Sequence, residues 1–139
     1  MKQVTKMLIN DFKIKQLKYD FLGYSLQKGD SYNFHHLIYS HEYCRKNNLG
    51  DGYWYNNGVI LCGNSSHPYL HLIERENRYI FEEITQEMFE MKNKGYIDKN
   101  NLIAIHQMLD YFEADNKNVR NKKGQLIIKP QYLIRNRFK

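Results

Sequence analysis

Tyr32-Asn33-Phe34-His35-His36-Leu37-Ile38-Tyr39, then Asn57-Gly58-Val59-Ile60-Leu61-Cys62, then His67-Pro68-Tyr69-Leu70-His71: on these three blocks the fold turns. The first is aromatic and β-branched and follows the turn signal Gly29-Asp30, so it reads as a strand. Asn57-Gly58 is a tight-turn dipeptide. Val59 to Cys62 reads as a short buried strand. Gly63-Asn64-Ser65-Ser66 breaks that strand and offers helix-capping side chains. Pro68 suits the first turn of a helix, where its missing N–H costs nothing. The order is strand, loop, strand, helix.

Outward from these blocks, the helix is expected over about 67–93. Leu70, Ile73, Ile80, Ile84, Met88 and Met91 form its apolar stripe, and Gly95 ends it. A second helix is expected over about 99–114, capped by Asp98, with Leu102, Ile105, Leu109 and Phe112 on one face. Residues 116–124 read as loop, and Leu126-Ile127-Ile128 as a last short strand or extended arm. The polar, glycine-punctuated stretch 41–56 reads as one long loop. Phe12, Ile14, Leu17, Tyr19, Phe21 and Leu22 fit strand and helix periods in part, and a strand-like region is expected near 12–22. No repeat, low-complexity tract or Pro/Gly/Ser linker divides the chain, so residues 1–139 are expected to form a single α+β domain.

The formal net charge is +6, and it is unevenly placed. Residues 117–139 carry eight Lys or Arg and no Asp or Glu; the remainder is close to neutral, with 13 basic against 15 acidic side chains. A neutral body with a basic end suits docking on a polyanion, and suits equally a solubilising tail. No apolar run approaches the roughly 20 residues a bilayer-spanning helix needs, so no membrane is expected. Cys44 and Cys62 do not form a C-x-x-C pair, which fits a reducing, cytoplasmic compartment and excludes a zinc knuckle of paired cysteines.

Four of the six histidines fall in the quoted blocks. His67 and His71 are four apart. On a helix they share one face with Cβ atoms about 5–6 Å apart, close enough to ligate one metal ion. Taken alone, they also read as ordinary surface histidines. His35 and His36 are adjacent, and on a strand they point to opposite faces. One can then meet the metal while the other stays beside it as a general base, neutral and proton-accepting near pH 7. A half-buried pair without chemistry is the plainer reading. Asn57 reads either as a turn residue or as an amide that braces a loop. Tyr53, Trp54 and Tyr55 either cap the fold or stack on bases. Glu74 reads as a second-shell partner for a histidine or, more simply, as a solvent-facing helix residue, and is left outside the site.

Joined in this order, His35-His36, Asn57-Gly-Val-Ile-Leu-Cys62 and His67-Pro-Tyr-Leu-His71 resemble the HNH endonucleases, the ββα-metal or His-Me finger nucleases, over about residues 33–92. The wording is similar to small HNH-like proteins of bacteria and their mobile elements or phages. The resemblance implies a ββα-metal core, here with an added C-terminal helix and basic tail. It implies His35, His67 and His71 as ligands of one divalent ion (Zn, Mg, Mn or Ni), His36 as the base that activates water, and Asn57 as the brace of the loop presenting His36. It implies DNA phosphodiester hydrolysis in a bacterial or phage-infected cell, with Lys122, Lys123, Arg135 and Arg137 docking phosphates. The alternative is an inactive HNH-like module that keeps a structural metal and binds nucleic acid or inhibits a protein partner. Three departures stand out: the span from His36 to Asn57 is longer than the compact form of the motif, that from Asn57 to His67 is longer by one residue, and the paired-cysteine zinc knuckle common in many members is absent.

Overall fold

The computed structural model describes residues 1–115 together with Lys123, Arg137 and Phe138. It is a mixed α+β structure built around a two-stranded sheet. Strand β1 (Tyr32–His36) runs antiparallel to β2 (Gly58–Cys62), with His35 opposite Val59 and His36 opposite Gly58. Helix α1 (Gln3–Asp11) precedes the sheet and packs on it through Leu8 and Ile9. Helix α2 (Ile14–Leu17) is a single turn. Between the strands lies α3 (His41–Lys46), and β2 leads into α4 (Ser66–Glu76). Helices α5 (Arg78–Lys94) and α6 (Lys99–Asp115) follow and pack against each other.

β2 is buried along its whole length. α1 and α4 both cover it, so its run Val59-Ile60-Leu61-Cys62 needs no polar alternation. Each fully buried aliphatic side chain there contributes about 1.5–3 kcal/mol. Asn57 and Gly58 do not make the hairpin turn their dipeptide suggests. Asn57 closes a 3-10 turn, Tyr55–Asn57, and Gly58 begins the strand with extended backbone, φ −128°. Glycine is required there by space, because a Cβ would overlap the Phe34 ring across the sheet.

Three further expectations change. Among the described residues, 12–22 form no strand: Phe12 ends α1, α2 follows, and the one bridge made by these residues is an isolated one between Tyr19 and Ser25. Buried Asp20 organises the turn, accepting the amides of Leu22 at 3.0 Å, Tyr24 at 3.1 Å and Cys62 at 3.0 Å. Such local side-chain bonding competes with a strand ladder. The stretch 41–56 is not one loop. Ser40 caps α3 by accepting the Tyr43 amide at 3.0 Å, and Cys44 is its single buried residue, so no apolar stripe announced it. The expected helix over 67–93 is two helices broken at Asn77, whose φ of −151° is not helical and whose Oδ1 caps α5 by accepting the Ile80 amide. The apolar stripe keeps its phase across the break, from Ile73 to Ile80, and so conceals it. Helix α6 lies where expected, with Asp98 accepting the Asn100 amide, and Gly95 takes the left-handed conformation at the end of α5. Leu126-Ile127-Ile128 and nearly all of 116–124 lie outside the described residues. Among the described residues no helix is long and apolar enough to cross a membrane.

The contact between Gly58 and Phe34 is directly testable. Gly58→Ala is expected to cost about 1–3 kcal/mol by overpacking. In urea titrations that cost shrinks when Phe34 is already alanine, because the ring that the added methyl strikes is gone.

Candidate metal centre

The pleat of β1 sends Asn33 and His35 to the face that α4 covers, and Phe34 and His36 to the other. His35 is 3 % exposed, and neither of its ring nitrogens has a hydrogen-bond partner among the described residues. A buried polar group left so costs about 1–3 kcal/mol, and natural folds rarely keep one without a reason. His67 and His71 stand at the start of α4. Their rings lie 5.3 and 5.4 Å from that of His35, centroid to centroid, and 4.8 Å from each other. One ring nitrogen from each of the three falls within 4.8 Å of the others. The Nε2 atoms of His67 and His71 are 3.2 Å apart. Two ligands at about 2.0–2.1 Å from a tetrahedral ion stand about 3.3 Å from each other.

Protonation favours ligation. Burial, then the neighbouring His67, His71 and His36, holds His35 well below the usual histidine range. Burial, then His71 and His36, pushes His67 down to about 4. Both are neutral near pH 7, the form that binds metals. Glu74 accepts the Nδ1 proton of His71 at 3.1 Å, which leaves the lone pair on Nε2, facing His67. The Asn33 amide lies 3.1 Å from His67 Nδ1. As placed, its nitrogen donates to the ring; turned about, its oxygen accepts the Nδ1 proton and frees Nε2. The donor set, three imidazoles with one fully buried and unpartnered among the described residues, fits a borderline divalent ion such as zinc or nickel.

His36 sits on the opposite pleat. Its Nε2 is 2.9 Å from the carbonyl oxygen of Asp51. A carbonyl only accepts, so Nε2 carries the proton and Nδ1 keeps the lone pair. The ring is flanked by Phe34, Tyr53 and His41, with centroids 5.1, 4.8 and 5.8 Å away.

Asn57 is 2 % exposed and uses its whole amide. Its oxygen accepts the amides of Ile38 at 2.9 Å and Tyr39 at 2.8 Å, and its nitrogen donates to the carbonyls of Tyr39 and Gly52, each at 2.9 Å. It therefore fastens the chain leaving His36 to the loop whose Asp51 holds the His36 ring. All four site histidines line one cleft of about 1140 Å³.

Compared with protein-family models, curated proteins and solved structures, the chain matches none.

The five residues singled out around the metal in the sequence are thus brought together: His35, His67 and His71 in one cluster, His36 beside it and Asn57 beneath its loop. The basic residues fare differently. Lys122 and Arg135 lie outside the described residues, and Lys123 is exposed. Arg137 is not presented to solvent for a phosphate. It donates to Asp110 at 2.7 Å and to Glu113, and lies over the Tyr24 ring. Those carboxylates are on α6, and nothing in the local sequence around Arg137 announces them. Tyr55 caps the fold, its hydroxyl donating to Asp11, and Tyr53 packs on Phe34, whereas Trp54 stays exposed. Asn33 escaped the sequence reading although it stands two residues before His35, the spacing that shares a strand face. Glu74, set aside there, is three residues after His71, the spacing of helix neighbours.

Asn57→Ala removes four hydrogen bonds and leaves their backbone partners unmet. Its unfolding free energy, from urea titration, is expected to fall by roughly 3 kcal/mol. In NMR spectra the His36 ring signals should shift more than those of His67 and His71, which α4 holds independently.

Proposed function

We propose that this chain is a metal-dependent endonuclease of the HNH type that hydrolyses DNA phosphodiester bonds, with β1, β2 and α4 as a ββα-metal core. One observation carries the reading. Three imidazoles converge on a common point while a fourth, on the very next residue of the strand, lines the same cleft with its lone pair uncommitted. That is the division of labour that hydrolysis at a metal requires.

A divalent ion held by His35, His67 and His71 would supply charge stabilisation for the scissile phosphate and the leaving 3′ oxygen. The chain's own groups do the rest. Nδ1 of His36 takes a proton from water as the water oxygen bonds to phosphorus. The carbonyl of Asp51, accepting from Nε2–H, aligns the ring and stabilises its charged form. The P–O3′ bond breaks, and protonation of the 3′ oxygen by solvent leaves 5′-phosphate and 3′-hydroxyl ends. Glu74 and Asn33 keep the His71 and His67 rings oriented.

A second reading has its own observation. Among the described residues Arg78 is the one Lys or Arg lining the cleft, and it already pairs with Glu74 at 3.2 Å and Glu82 at 3.4 Å. A cleft so poor in spare cations also suits a module in which the histidines hold a structural ion and the partner is a protein.

The two separate in nicking of supercoiled plasmid after chelation, with Mg²⁺, Mn²⁺, Ni²⁺ or Zn²⁺ returned singly. His36→Ala is expected to bind metal with wild-type stoichiometry by titration calorimetry and to nick at least about a hundredfold more slowly. Wild-type nicking by His36→Ala would remove His36 as the base. Tight one-to-one metal binding without nicking under any ion would select the second reading. His67→Ala and His71→Ala are expected to lose both metal and nicking. Saturating metal at about a hundred times its dissociation constant should stabilise the wild-type fold by about 2.7 kcal/mol.

A further inference from the structure

The wall of the cleft beyond His36 is aromatic and exposed. Tyr39 and Tyr43 stack with ring centroids 5.5 Å apart and planes inclined by 18°, and both line the cleft that holds the histidines. Trp54 meets Tyr39 edge-on at 6.1 Å. These three rings are 41 %, 48 % and 40 % exposed, so they cover no core. Nor is the platform loosely hung. Asn57 accepts the Tyr39 N–H and donates to the Tyr39 carbonyl, so both backbone polar groups of that residue are clamped. Ser40 caps the helix that carries Tyr43. Rigid rings held open to solvent are pre-organised for a flat partner.

The charges narrow what that partner is. A duplex is gripped largely through its phosphates, and cations supply most of that sequence-independent attraction. Among the described residues the cleft is lined by one cation, Arg78, already engaged by two carboxylates. A strand with unpaired bases can instead be held by stacking, worth about 1–3 kcal/mol per base and indifferent to sequence. Continuity fixes the place: Tyr39 is three residues beyond His36, so a strand whose phosphate reaches His36 runs on past these rings.

We propose that Tyr39 and Tyr43, edged by Trp54, form a stacking platform for the unpaired bases of a DNA strand, so that the substrate is single-stranded or locally opened DNA rather than intact duplex. This rests on the nuclease reading for its chemistry, but its test does not need cleavage. Fluorescence anisotropy of the full chain in EDTA compares a labelled oligothymidine with a hairpin duplex at physiological salt. The single strand is expected to bind more tightly. Tyr39→Ala with Tyr43→Ala should weaken single-strand binding about tenfold or more, while Tyr39→Phe with Tyr43→Phe keeps it. Circular dichroism of each variant confirms that these exposed substitutions leave the fold intact. Tighter binding of the duplex, or single-strand binding by the alanine pair equal to wild type, overturns the proposal even if plasmid nicking succeeds. The expected pattern in a protein that nicks nothing keeps the platform and removes the nuclease.

Discussion

Alternation along a strand is the constraint on which the site depends. Two adjacent histidines cannot share a face of β1, so one is committed to the helix side and the other to the loop side. Pairing with β2 then fixes which is which, because Val59 lies opposite His35 and Gly58 opposite His36. A slip of one residue would turn His36 toward α4 and His35 toward the loop, exchanging the two environments. The register is held by more than the ladder. The Phe34 ring occupies the space that only a glycine at position 58 leaves open, and Asn57 joins the segment after β1 to the one before β2. Packing and hydrogen bonding thus select the same register.

The two faces differ in their physics as well as in direction. On the α4 side, burial and the neighbouring rings hold His35 and His67 in their neutral forms. On the loop side, a backbone carbonyl fixes one tautomer of His36 and leaves the ring open to the cleft. One peptide bond therefore separates a group that resists protonation from one arranged to accept a proton. Glu74 bears on His71 from within the helix, and Asp51 bears on His36 from the loop.

Periodic patterns were legible in the sequence, and side-chain competition with the backbone was not. The two strands and α6 follow directly from apolar runs and spacing, and the opposite facing of His35 and His36 follows from the strand period. The break at Asn77 did not show, because a polar residue inside an unbroken stripe is common and only its backbone bond to Ile80 makes it a cap. Helix α3 was missed because one buried cysteine is no pattern. The turn around Asp20 was taken for a strand because the carboxylate that bends it acts on amides two, four and 42 residues away. The same limit applied to charges: Arg137 read as available because its acidic partners are on another element. The candidate ligands His67 and His71 are legible because their spacing is local, whereas Asn33 is not, because a strand amide carries no signal until its partner ring is placed beside it.

The amide of Asn57 also has a topological meaning. By holding Tyr39 and Gly52 together, it closes residues 40–51 into a loop whose ends are fixed whatever lies between them. Closure entropy grows only with the logarithm of loop length, and doubling such a loop costs about 0.6 kcal/mol. The segment carrying α3 and the Tyr43 ring can therefore lengthen or shorten at small cost. His35, His67 and His71 lie outside the clasp and keep their places on β1 and α4 when it changes, whereas His36 is held from inside it by Asp51. This loop is the place where related chains can diverge in what they grip while leaving those three imidazoles in the same positions.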